Sequence, residues 1–136
     1  MEVIMSEALF LKRVFLADAA TCAACAVLLL TGAGALSPLL GLPTELLFWA
    51  GAVLVPVAAL FAFIGTRQRP PVALAVIGIL GNVLWVIESV ITIEMAAGIT
   101  TLGIAFVGMQ AAAVAMLAAL ETWGLKRMSA AARVAA

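Results

Sequence analysis

The sequence predicts an all-α protein: a transmembrane bundle of four helices that run up-down-up-down, with the N- and C-termini both cytoplasmic. Three observations predict it: an apolar composition, four apolar stretches of membrane-spanning length, and basic residues confined to one side. Of the 136 residues, 67% are hydrophobic and 10% are charged, whereas a water-soluble domain carries about 25% charged residues. We therefore expect the lipid bilayer to surround the chain.

The apolar stretches are long enough to cross a hydrocarbon core, which takes about 20 helical residues. We place the four spans near residues 14–36, 46–66, 72–93 and 99–121. Their connections are short, so neighbouring helices are expected to be antiparallel and adjacent. We predict that residues 1–136 form a single four-span membrane domain.

The segments between the spans contain Pro and Gly, which break helices where the backbone can reach water. The loops are predicted at 37–43, 67–71 and 94–98. Before the first span, residues 1–11 mix acidic and apolar side chains, which indicates a short helix on the membrane surface or a frayed tail. After the fourth span, the Ala-rich tail from Ser129 can extend the last helix.

Orientation follows from the placement of the seven basic residues, because cytoplasmic loops are enriched in Lys and Arg. The basic residues are Lys12, Arg13, Arg67, Arg69, Lys126, Arg127 and Arg133. An even number of crossings separates the three groups that they form, so all of them lie on one side. The two remaining loops carry Glu45 and Glu94 instead. We predict a multi-pass protein of the bacterial inner (plasma) membrane.

Polar and small residues recur at three- and four-residue steps along three spans, which places them on one face of each helix. On the third span they are Gly78, Gly81, Asn82, Trp85, Glu88, Ser89 and Thr92. On the first and fourth spans they are Asp18, Thr21, Cys22, Cys25, Gly32, Gly103, Gln110 and Glu121. We expect these stripes to face the interior of the bundle.

A ligand or ion site is expected at the midplane and outer half, lined by Asn82, Trp85, Glu88 and Gln110. For Glu88 the functional interpretation is a proton or cation site, because acids inside the membrane are costly. The alternative is a protonated or water-reached carboxyl near the interface. Asn82 and Gln110 have a structural alternative as well, which is to bond each other or the carbonyl that Pro56 leaves free.

Asp18 and Glu121 are expected near the cytoplasmic boundary, where basic side chains can reach back to pair with them. The basic candidates are Lys12, Arg13, Lys126 and Arg127. This interpretation gives both acids a structural role as halves of ion pairs.

Cys22 and Cys25 form a C-x-x-C spacing inside an apolar run. Quinone-linked thiol oxidoreductases of the vitamin K epoxide reductase group share this spacing, but they need a second cysteine pair, which this chain lacks. We interpret both cysteines as helix-packing residues, with a weak redox pair as the alternative. The chain has no His, the commonest haem and metal ligand. We therefore expect neither a metal nor a cofactor.

Several short motifs resemble a known group of proteins. They are LADAATCAA at 16–24, LLGLP at 39–43, NVLWVIES at 82–89, TLGIAFVGMQA at 101–111 and LETWGLKR at 120–127. Together they resemble uncharacterised small bacterial four-span integral membrane proteins that have no agreed activity. The resemblance covers most of the chain and implies the four-span topology, but it implies no chemistry.

Function is expected to be non-catalytic, since no motif indicates an enzymatic reaction. The first hypothesis is an accessory or assembly subunit that docks on a larger membrane complex or self-associates as a homo-oligomer, through helices rich in Gly and Ala. The alternative is a proton- or cation-linked transporter, or a binder of small ligands, that uses Asn82, Glu88 and Gln110. Nucleic acid is not expected as a partner, because the 7 basic and 7 acidic residues cancel.

Overall fold

The computed structural model describes residues 2–136 and is all-helical over that range. Its four helices are α1 (Glu2–Leu40), α2 (Thr44–Thr66), α3 (Val72–Met95) and α4 (Thr101–Ala135). Each is long and apolar enough to cross a membrane. The predicted all-α class and the helical bundle of membrane-spanning helices are confirmed.

α1 and α4 are much longer than α2 and α3. α2 and α3 have 23 and 24 residues, or about 35 Å of helix, close to the roughly 30 Å of a hydrocarbon core. α1 and α4 have 39 and 35 residues, or more than about 50 Å. Both long helices therefore project beyond α2 and α3 at the end that holds the chain termini, here called the terminal end.

Packing between α1 and α4 accounts for the helical structure of the first residues. Phe10 meets Trp123 edge to face with ring centroids 5.1 Å apart, and the Glu7 carboxylate lies 2.7 Å from the Arg127 guanidinium. Ala8 is buried in the same contact. The predicted surface helix or frayed tail at 1–11 is therefore wrong for residues 2–11, which continue α1, whereas the helical extension from Ser129 is confirmed.

The opposite end of the bundle, here called the loop end, is tied together by backbone contacts. Gly41 has a φ of +68°, a left-handed conformation that favours glycine, and its hydrogen atom faces the backbone of Gly98, where a Cβ would clash. The Thr100 amide donates to the Leu40 carbonyl at 3.0 Å. α1 runs through Pro38 to Leu40, so the first loop is shorter than predicted: the helix ends at the glycine and not at the proline.

The apolar core forms mainly around α1, which packs against α2 and α4. Phe15 and Phe61 meet with ring centroids 5.6 Å apart, and both press on Gly78 of α3, where a Cβ would approach Phe61 to 2.7 Å. Away from this point, α3 packs on α4 and barely touches α2. One long side of α3 is consequently uncovered.

Candidate functional site

Three polar side chains from three helices meet in the interior. The Asn82 amide on α3 donates to Asp18 Oδ2 on α1 at 2.6 Å and to Glu121 Oε2 on α4 at 3.0 Å. Asp18 and Glu121 are completely buried and Asn82 is 4% exposed. We call Asp18, Asn82 and Glu121 the carboxyl–amide triad. It joins α1, α3 and α4 at one point.

The triad lies deep along the helices. Asn82 follows the start of α3 at Val72 by ten residues, which corresponds to about 15 Å of rise. The hydrogen bonds of Asn82 hold Asp18 and Glu121 at a similar level, near the middle of this 24-residue helix. The expectation that these two acids lie at a boundary is therefore wrong, because α1 and α4 begin and end well beyond the level of the α2–α3 loop.

The expected ion pairs of Asp18 and Glu121 are absent within residues 2–136, where the one salt bridge joins Arg127 to Glu7. Helical geometry explains this. The basic residues stand five and six positions from each acid, and at about 100° per residue those positions point about 120–140° away from it around the helix. The basic residues concerned are Lys12, Arg13, Lys126 and Arg127. Their charges therefore face other surfaces.

The hydrogen bonding of the triad is incomplete. The Cys22 thiol, one turn along α1, lies 3.5 Å from Asp18 Oδ1 and donates to it. Among the described residues, Glu121 Oε1 is a buried oxygen with no hydrogen-bond partner. Because Asp18 Oδ2 and Glu121 Oε2 accept from the same Asn82 nitrogen, the two carboxyl groups lie side by side. The cluster thus brings two acids together without a neighbouring cation.

A second polar contact links α3 to α4 one turn farther along. The Trp85 indole N–H donates to Gln110 Oε1 at 2.9 Å, and the Ser89 hydroxyl donates to the Trp85 carbonyl at 2.8 Å. The structural alternative in which Asn82 and Gln110 bond each other is therefore wrong. Each takes a partner of its own and ties α3 to α4 at a separate level.

Glu88 is exposed and points away from the triad. The polar stripe of α3 is about 120° wide, because Glu88 follows Asn82 by six residues. Gly78, Asn82 and Ser89 lie along its buried edge, whereas Gly81 and Glu88 lie along its exposed edge. Of the four residues expected to line one site, the structure pairs Trp85 with Gln110, places Asn82 in the triad, and leaves Glu88 apart.

The two cysteines are free thiols, Cys22 buried and Cys25 half-buried. Cys22 touches the triad, and Cys25 packs against the apolar core. Within residues 2–136, no group of three or more His, Cys, Asp or Glu side chains could hold a metal ion.

An open groove of about 560 Å³ runs between α3 and α4. Its lining is Val83, Val86, Ile87, Ala115, Ala118, Ala119, Thr122, Trp123 and Lys126. Neither the triad nor the Trp85–Gln110 pair contributes to it. The groove is therefore a surface feature and not an entrance to the buried polar groups.

Asp18 and Glu121 are the residues whose importance sequence reasoning missed. A signal was present, since Asp18 stands one turn from Cys22 on the polar face of the first span, and Glu121 shares a face with Gln110. Two acids on inward stripes of different helices indicate a meeting inside the bundle more directly than pairing with basic residues on other faces. No protein-family model, curated protein or solved structure matches this chain.

Proposed function

We propose that the protein is a small, non-catalytic integral membrane protein, an accessory or assembly subunit that docks on a larger membrane complex or self-associates. The observation that carries this proposal is the exposed Glu88 carboxyl on the uncovered side of α3. An acid facing lipid is costly, and a neighbouring protein that covers it removes the cost.

The position of Glu88 makes that cost substantial. It precedes the end of α3 at Met95 by seven residues, or about 10 Å of rise, which places it inside the apolar part of the helix. Among residues 2–136 its carboxyl has no ion-pair or side-chain hydrogen-bond partner, since the Thr92 hydroxyl donates to the Glu88 backbone carbonyl instead.

The surroundings of Glu88 suit a docking helix. Exposed residues recur along the same side of α3 and define what we call the open face: Ile77, Gly81, Leu84, Glu88 and Ile91. A Cβ built on Gly81 would meet nothing within 4 Å. Small residues permit close helix approach in membranes. The open face therefore fits a helix that packs at Gly81 and offers a hydrogen-bond donor to Glu88.

The proposal includes the up-down-up-down arrangement with cytoplasmic termini in a bacterial inner membrane. Contacts at both ends support opposite directions for α1 and α4, because Glu7 meets Arg127 at the terminal end and Leu40 meets Thr100 at the loop end. The distribution of basic residues supports the orientation.

A transporter or ligand binder built on Asn82, Glu88 and Gln110 as one site receives less support. Glu88 lies about 120° around α3 from Asn82, and Gln110 is engaged by Trp85. The three side chains do not converge on a shared cavity in the described structure.

Native mass spectrometry of the protein, released from host membranes into nanodiscs, tests the docking proposal. We expect the wild type to carry a partner chain or to form a defined oligomer. We expect Glu88→Leu to lower the association constant about tenfold, which corresponds to about 1.4 kcal/mol. Glu94→Leu is the matched control, because Glu94 is also exposed on α3 but lies at its loop end.

The control should leave association unchanged. A wild type that remains a monomer without a partner at membrane concentrations would contradict the proposal. Equal association of Glu88→Leu and wild type would contradict the role of the open face.

A further inference from the structure

The carboxyl–amide triad poses a problem of charge that its neighbours do not solve. Asp18 and Glu121 are completely buried, and the Asn82 amide and the Cys22 thiol that touch them are neutral groups. If both acids were ionised, two negative charges would lie side by side in an apolar interior. Two neighbouring carboxylates repel each other strongly there, whereas a single carboxylate can be stabilised by the hydrogen bonds that it accepts.

The number of hydrogens available to the two carboxyls also indicates that a proton is missing. The two carboxyls present four oxygens, and the neighbouring groups supply three hydrogens: two from the Asn82 amide and one from the Cys22 thiol. The oxygen left without a hydrogen is Glu121 Oε1, which is buried. Buried polar atoms are rarely left unpaired. The cluster is thus short by one hydrogen and has an excess of negative charge.

We propose that Asp18 and Glu121 form a proton-binding site that holds one proton between them, oriented by Asn82. The bound proton lowers the charge of the pair from two negative charges to one. It also supplies the missing hydrogen, because both carboxyls accept from the same Asn82 nitrogen and therefore lie side by side. Neighbouring carboxyls share a proton in other proteins, since like charges disfavour double ionisation.

The groups that face this site come from each helix packed around it. α1 contributes Asp18 and Cys22, α4 contributes Glu121, and α3 contributes the neutral Asn82. α2 contributes no titratable group to the cluster. Because the proton bridges α1 and α4, its release places like charges across that helix contact and weakens it. The site therefore couples proton binding to the packing of the bundle.

Infrared spectroscopy of the protein in nanodiscs tests the site directly. We expect the wild type at neutral pH to show the C=O band of a protonated carboxyl, with a shift on transfer to D₂O. The double variant Asp18→Asn/Glu121→Gln should lose this band, because amides replace both acids without changing their size. Glu88→Gln is the control and should retain the band. The double variant is also measured together with Glu88→Gln, so that a protonated Glu88 cannot account for a band that remains.

Three outcomes would overturn the assignment: no carboxyl band in the wild type at neutral pH, a band that survives when the double variant is combined with Glu88→Gln, or a band that disappears in Glu88→Gln alone. If the double variant does not fold, Glu121→Gln alone is measured. It should also lose the band, since the new amide supplies hydrogens and removes one negative charge, leaving Asp18 free to ionise.

The pH dependence of stability gives a second readout. The folded pair holds a proton that free carboxyls release above about pH 4, so the folded state binds more protons than the unfolded state and stability falls as pH rises. We expect the wild-type Tm to fall as the pH rises above about pH 5, with a flatter profile for the double variant. If the Tm of the double variant fell with pH as steeply as that of the wild type, the proposal would be overturned.

A monovalent cation could neutralise the same pair. We therefore compare the wild-type Tm at high pH in sodium chloride and in choline chloride of equal ionic strength. Equal values are expected for a proton site. A rise that is specific to sodium would show that a cation occupies the place assigned to the proton.

Discussion

Asn82 and Glu88 stand six residues apart on α3, and each marks a place where a carboxyl lies within the apolar part of the bundle. At Asn82, the protein itself supplies the hydrogen bonds, and two acids are sealed inside three helices. At Glu88, the acid faces outward with no partner among the described residues. One stripe on one helix can therefore serve two purposes: its buried edge organises the bundle, and its exposed edge is available to another molecule.

The largest expected effect comes from removing the amide that holds the triad together. Asn82→Leu keeps a similar volume but leaves oxygens of Asp18 and Glu121 without their donors, and each unsatisfied buried acceptor costs about 1–3 kcal/mol. We expect the free energy of unfolding to fall by at least about 2 kcal/mol. Unfolding in mixed detergent micelles with increasing SDS measures it.

Glu88→Gln is the matched control for the exposed edge. Because the Glu88 carboxyl makes no ion pair or hydrogen bond within residues 2–136, the free energy of unfolding should change by less than about 0.5 kcal/mol. If Asn82→Leu and Glu88→Gln lowered the free energy of unfolding by similar amounts, Glu88 would also stabilise the isolated fold, and the two edges would not differ in role.

A smaller loss is expected one turn along the buried edge. Trp85→Phe keeps an aromatic ring but removes the N–H that donates to Gln110, and interhelical hydrogen bonds in membranes contribute about 1 kcal/mol. The same SDS titration should show a loss of about that size. Trp49→Phe is the control, because Trp49 is 65% exposed and its ring packs edge to face on its neighbour Phe48. Equal losses from both would assign the effect to ring size and not to the hydrogen bond.

The smallest effect is expected at the terminal end, where an acid does have a basic partner. Glu7→Gln removes the ion pair with Arg127, whose side chain is 48% exposed while that of Glu7 is 12% exposed. Because solvent reaches the guanidinium, we expect the pair to contribute about 1 kcal/mol or less and to be screened by salt. The Tm should therefore fall slightly at low ionic strength and not at high ionic strength. Glu2→Gln, a change at an exposed acid on the same helix, should leave the Tm unaltered under both conditions.

Much of the fold could be predicted from local patterns. Runs of apolar residues predicted four helices, and the loop between α2 and α3 was predicted at the residues where it lies, 67–71. The first residues of α1 were predicted as a surface helix or a frayed tail, because residues 2–13 are not apolar enough to look like part of a membrane span, whereas the extension of α4 from Ser129 was predicted. Their helical structure depends on contacts such as Phe10 with Trp123, which join residues more than 100 positions apart in the chain.

The candidate site was less accessible to sequence reasoning. The stripe on α3 was recognised, but its width of about 120° left open which edge faces inward. The positions of the neighbouring helices decide which edge faces inward: they cover Asn82 and leave Glu88 exposed. The relative heights of the helices likewise bring Asp18 and Glu121 to the same level, where both accept from the Asn82 amide, although 103 positions separate them in sequence.

By itself, then, the sequence determined the apolar helices, their loops and the polar faces, because these depend on hydrophobicity and on periodicity along a single helix. Only the tertiary structure decided that two acids meet around Asn82 and that Glu88 does not join them. The physical reason is that a side chain's partner across a bundle depends on the rotation and relative height of separate helices. Those quantities are set by the packing of the whole molecule around contacts such as Phe15 and Phe61 against Gly78.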